Sequence, residues 1–171
     1  MTVLSRESRG RLALRLVLLG APVLAVLCAG PRPWPNGWFV ALLLAMSLGW
    51  AAMPESTLGA ACLGLVAVWW ALAVHGTPAT AILAAALLLA AHVASVLLSY
   101  GPPGLPIGGR VLRLWLRRAA LVGLAAPVVW GVGVLVDGQP EPPGIWVAGL
   151  GCAIVVCVVA AAALSVREVR P

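Results

Sequence analysis

Six runs of apolar residues, at about 16–29, 38–53, 58–74, 79–99, 119–136 and 145–166, follow one another along this chain, each closed by proline, glycine or charge. Such runs leave little choice of structure. Hydrocarbon offers no water to a free N–H or C=O, so a buried segment must satisfy its own backbone, and an α-helix does this within one segment. About 20 residues cross a ~30 Å hydrocarbon core at ~1.5 Å per residue. Of the 171 residues, 63% are hydrophobic and 9% charged, whereas soluble domains carry roughly 25% charged residues. The sequence therefore predicts an all-α, polytopic transmembrane helix bundle, a single integral membrane domain over residues 1–171.

The breaks between runs are equally legible. Gly30 to Gly37 contains three prolines, and Tyr100 to Gly109 alternates proline and glycine, so neither stretch can continue a helix. Pro54-Glu55-Ser56-Thr57 and His75-Gly76-Thr77-Pro78 read as tight turns, and Asp137 to Gly144 as an acidic, proline-rich loop. Trp38 to Val74 cannot be one helix, because its 37 residues would reach ~55 Å. It forms a hairpin, either fully crossing or re-entrant. Pro22 and Pro127 lie inside runs and predict kinks.

Charge sets the orientation. All eleven basic residues are arginine, and four of them fall in the nine residues from Arg110 to Arg118. At ~100° per residue, Arg110, Arg113 and Arg117 share a narrow arc while Leu112, Trp115 and Leu116 take the other side. This predicts a short basic amphipathic helix at the membrane surface before the fifth span. Arg110, Arg113, Arg117 and Arg118 are accordingly candidate contacts to lipid headgroups of an anionic inner leaflet. Four predicted spans separate this cluster from Arg6, Arg9, Arg11 and Arg15, and two more separate it from Arg167 and Arg170. Ten of the eleven arginines thus fall on one side, leaving Arg32 on the other. By the positive-inside rule the N- and C-termini are cytoplasmic, in a cell (plasma) membrane. Trp34, Trp38, Trp69, Trp70 and Trp146 then lie at outer ends, where indole sits well at the interface, with Trp50 and Trp115 at the inner side. A cleaved signal peptide would begin in the same way, but Pro31 directly after Cys28-Ala29-Gly30 argues that the first span is retained.

Chemistry-bearing residues are few. His92 is the one ionisable side chain near the middle of a predicted span, and it shares a face with Ser95 and Ser99 at spacings of three and seven. An intramembrane histidine is a functional candidate by default; its plainer reading is a neutral imidazole bonded to a neighbouring carbonyl or hydroxyl. No second His, Asp or Glu lies at the same depth, so no metal site or proton relay can be assembled. Asp137, Glu141 and Glu55 read as loop or turn charges. Cys28, Cys62, Cys152 and Cys157 all lie in apolar runs without a Cys-x-x-Cys pair, which fits packing rather than zinc or disulfides. A Gly-x-x-x-x-Gly-Lys loop is impossible without lysine, and no Gly-x-Ser-x-Gly occurs. No cofactor, catalytic set or nucleic-acid partner is expected.

Trp34-Pro35-Asn36-Gly37-Trp38 opening one hairpin, Tyr100-Gly101-Pro102-Pro103-Gly104-Leu105-Pro106 before the basic helix and Asp137-Gly138-Gln139-Pro140-Glu141-Pro142 before the last span form a pattern. It resembles small uncharacterised polytopic membrane proteins of actinobacteria. That resemblance implies a source and a location, and it brings no activity and no site residue. The functional expectation is a non-enzymatic integral membrane protein, a subunit or accessory of a larger membrane assembly with a membrane-protein partner. The alternative is a small oligomeric transporter or channel whose path is lined by His92, Ser95 and Ser99.

Overall fold

The structure is a computed structural model that describes residues 9–30, 34–100, 108–140 and the positions 147, 151, 154, 155 and 158. Two compact units divide the chain, Met1–Asp137 and Gly138–Pro171. In the second, the five described positions beyond 140 are helical; the rest of the sixth predicted span, 145–166, lies outside the described residues.

The first unit consists, among its described residues, of helices joined by turns: α1 (Arg9–Leu27), α2 (Gly37–Ala52), α3 (Leu58–Ala73), α4 (Thr80–Ser99), α5 (Gly109–Gly123) and α6 (Ala125–Val136). Three helical stretches, Gly10–Leu27, Thr80–Ser99 and Gly109–Val136, are long and apolar enough to cross a membrane. Gly37–Ala52 and Leu58–Ala73 are apolar but have 16 residues each, ~24 Å of helix.

Each boundary has a local cause. Pro54 disfavours helical backbone at Met53, where α2 stops with φ −127° and ψ 80°, outside the helical region. In the turn that follows, the Ser56 hydroxyl donates to the Met53 carbonyl at 2.7 Å. After α3 the chain needs a left-handed residue, which Gly76 supplies at φ +79°. Pro127 lacks the N–H that would bond the Gly123 carbonyl, and its ring crowds that same carbonyl. The helix accordingly breaks between α5 and α6, at Leu124, which itself keeps right-handed helical angles.

Here the backbone departs from the sequence expectation. The basic stretch and the fifth apolar run form one nearly continuous helical stretch of 28 residues, interrupted at Leu124 and not between Arg118 and Ala119. Nothing at Arg118-Ala119 can stop a helix, whereas a proline three residues after Leu124 can. Similarly, the described part of α1 already includes Arg9 to Arg15, ahead of the apolar run at 16–29, because Arg, Leu and Ala are good helix formers that outweigh the single Gly10.

From α1 to α5 successive helices alternate in direction, and α6 continues α5. The Arg11 guanidinium, near the start of α1, donates to the carbonyl of Tyr100 just past the end of α4. At the opposite end the Trp70 indole N–H, in the last turn of α3, donates to the Ala25 carbonyl in the last turns of α1. Phe39 at the start of α2 stacks on Trp69 at the end of α3. Consequently α1 is the hub, packed against α2, α3 and most extensively α4. Its Leu18, Ala21, Ala25 and Val26 belong to one buried cluster with Leu43, Trp50, Val66, Ala84, Ala91 and Ala94. The alanines permit close backbone approach, the usual device where lipid supplies no hydrophobic drive between helices.

The α2–α3 hairpin closes over Trp50, which is 1% exposed. Gly59 lies directly against the Trp50 indole, so that a Cβ there would overlap the ring. Nothing lies within 4 Å of the corresponding point at Gly64. Gly59→Ala should therefore destabilise the folded chain by roughly 1–3 kcal/mol, the range for an overpacked core. Gly64→Ala should be neutral or slightly stabilising. Thermal unfolding of both variants in one detergent checks this, and equal melting temperatures would show that the hairpin does not close on Trp50.

Candidate functional site

Two polar regions and one isolated imidazole are the places where this apolar unit could do chemistry. The first is the end where α1 begins, α4 ends and α5 begins. Arg11 is 5% exposed and donates through Nη2 to the Tyr100 carbonyl at 3.2 Å. That carbonyl belongs to a helix terminus, where the last C=O groups lack intrahelical partners and the dipole is negative. The Tyr100 ring meets Trp115 of α5 at 6.1 Å between centroids, and the Arg118 guanidinium lies 5.5 Å from the Trp115 ring centre. Cation, carbonyl, phenol and indole thus tie three helices together. Arg110, Arg113, Arg117 and Arg118 all lie exposed on α5. Both arginine clusters described by the structure accordingly sit at one end of the unit, and the basic face of α5 is open to whatever anion borders it.

The second region lies at the other end. The Thr77 hydroxyl donates to an Asp137 carboxylate oxygen at 3.2 Å, and the Trp130 indole donates to the Thr77 carbonyl at 3.0 Å. This fastens the end of α6 to the turn before α4. Asp137 therefore has a structural partner in Thr77; Glu141 and Arg32 lie outside the described residues.

His92 lies between these ends. It is exposed, on a face of α4 turned away from the buried cluster, and no hydrogen bond to its imidazole is found among the described residues. Ser95 is 7% exposed and donates to the His92 carbonyl at 2.8 Å. Ser99 donates to the Ser95 carbonyl at 3.0 Å. Both hydroxyl protons are thus spent on carbonyls of their own helix, the usual habit of Ser inside an apolar helix. The three residues are adjacent along α4, with Ser95 buried and His92 and Ser99 exposed.

Buried polar contact occurs elsewhere, where Ser47 Oγ and Cys62 Sγ approach to 3.7 Å between α2 and α3. Among the described residues no three His, Cys, Asp or Glu side chains are grouped so as to hold a metal. Sequence reasoning missed the anchoring roles of Arg11, Tyr100, Thr77 and Trp130. For Arg11 a cue existed, since a guanidinium within the first turns of a spanning helix must find a partner. The others depend on which helices adjoin. Comparison with protein-family models, with curated proteins and with solved structures gives no match. What the fold defines is a helical protein with, among the described residues, three helices long and apolar enough to cross a membrane.

Removing the buried guanidinium tests the three-helix junction. Arg11→Leu leaves the Tyr100 carbonyl without its charged donor and should lower stability by about 1.5–3 kcal/mol, the range for hydrogen bonds to charged groups. Arg110→Leu, on the exposed face, should change it far less. Unfolding midpoints of the two variants in the same detergent provide the comparison, and a larger loss at Arg110 would refute the junction.

Proposed function

We propose that the chain is a six-span membrane protein with cytoplasmic N- and C-termini, acting as a non-enzymatic subunit or accessory of a larger membrane assembly. The observation that carries this reading is the surface of the described unit. α5 and α6 bury none of their residues, and large side chains such as Leu124, Val129 and Leu135 of that stretch are 64–78% exposed. α6 is apolar all round and α5 apolar on the side away from its arginines, and such unburied faces have lateral contacts still to make, with lipid or with other helices. The polar interior that a transporter needs has little support. Ser95 and Ser99 donate to their own helix, which leaves an exposed His92 imidazole where a solute path would require several groups to replace hydration.

Sidedness follows from the arginine bias and from the alternation of helix direction. Reporter fusions after Pro35, His75 and Gln139 should report the outside, and fusions after Glu55, Gly104 and Arg170 the cytoplasm. A cytoplasmic report at Gln139 would overturn the six-span arrangement. The accessory role is tested by purifying the full chain with its neighbours in mild detergent: a membrane protein should co-purify, and His92→Gln should leave that association intact. A folded His92→Gln chain that keeps its partners yet loses pH-dependent solute flux in proteoliposomes would decide for the transporter reading.

A further inference from the structure

Between α1, α4 and α5 runs an open groove of about 410 Å³, a size within the ~300–1,000 Å³ of small-molecule sites. Its walls include Leu14 and Val17 of α1, Val93 and Leu97 of α4, and Leu112 and Leu116 of α5, and every other lining residue is Leu, Ala or Gly. No side-chain donor or acceptor lines it, so water has no partners there. On α4 the groove extends from Ala86 to Leu97, ~16 Å of helix, which is about half of the ~30 Å hydrocarbon core and therefore one leaflet deep.

One end of the groove is basic. α4 and α5 run antiparallel, since Tyr100 meets Trp115 while a Cβ on Gly123 would meet Leu89 at 3.6 Å. The end flanked by Leu97 and Leu112 is thus the end that carries the arginines. Residues seven apart lie within ~20° around a helix, so Arg113 stands on the same edge of α5 as the lining residue Ala120, and Arg110 lies one turn nearer the start of α5, ~60° further round from the groove. Both arginines are exposed.

We propose that this groove seats an acyl chain of an anionic phospholipid whose phosphate is held by Arg113 and Arg110. An apolar trough one leaflet deep, opening at a pair of guanidinium groups, matches a lipid in both length and charge. Guanidinium presents a rigid fork of donors suited to phosphate oxygens. This assignment rests on α5 carrying its basic turns at the membrane surface. It does not depend on the accessory role, since a chain that lost the lipid while its protein partner still co-purified would sink this inference alone.

The test uses the full chain in phosphatidylcholine vesicles doped with phosphatidylglycerol bearing a photoactivatable diazirine on its acyl chain. Labelling should concentrate on residues 86–97 and 112–123 and be competed by unlabelled phosphatidylglycerol, not by added phosphatidylcholine. Ala120→Phe, which fills the groove, should reduce labelling there while leaving exposed Leu72 and Leu135 labelled as before. Replacing Arg110 and Arg113 together by Gln should cut the preference for phosphatidylglycerol about 30-fold, the equivalent of ~1 kcal/mol for each arginine. Labelling of the unaltered chain needs no variant to fold. Labelling spread evenly over all exposed faces, absent from the two stretches, or equally competed by phosphatidylcholine would overturn the proposal.

Discussion

Packing of α1 against α4 is the contact on which the described unit depends. Both helices bring alanine to it, Ala21 and Ala25 from one side and Ala84, Ala91 and Ala94 from the other, all within one buried cluster. In water such small side chains would contribute little burial. In lipid the balance differs, because tails are as apolar as any side chain and helices gain chiefly by van der Waals contact at short range. From this hub α2 and α3 close on one side as a hairpin, and α5 attaches through α4.

Polar contacts secure the ends of this arrangement rather than its middle. At one end Arg11 satisfies the terminus of α4; at the other the Trp70 and Trp130 indoles donate to Ala25 and Thr77 carbonyls. Indole suits this task, since it buries a large apolar ring and needs one acceptor. Between the ends, Ser95 and Ser99 bond their own helix, and the Ser47–Cys62 approach is the deep side-chain polar contact between helices described here. A protein so constructed can present its surface to lipids and to other helices without holding water inside. That property joins the accessory reading to the lipid groove, because both use the outer face of α5.

How much of this could be read from the chain alone is clear element by element. Pro54, Gly76 with Pro78, and the run from Gly101 fixed where helices stop, because ring closure and positive φ act locally. The helices at 37–52, 58–73 and 80–99 consequently fall within a residue of the apolar runs. Where no breaker stood, the helix extends past the apolar run: α1 includes Arg9 to Arg15, and the basic stretch joins the fifth run until Pro127 acts on Gly123. The arginine face of α5 was legible because its two sides differ in charge.

Neighbour relations were not legible, and the reason is the solvent. In water a helix marks its buried face with an apolar stripe, but against lipid the inward and outward faces are equally apolar, so α2 or α4 gives no sign of which side packs. Only the tertiary structure decided that α1 is central, that Arg11 ends on the Tyr100 carbonyl, and that His92 points away from the core while Ser95 lies within it. The groove likewise exists only where three helices meet. The sequence by itself determined the class of structure, the helix ends marked by proline or glycine and the charged end of the unit, since these follow from backbone hydrogen bonding and charge. Which faces touch was decided by side-chain fit across helices, a quantity that no single segment contains.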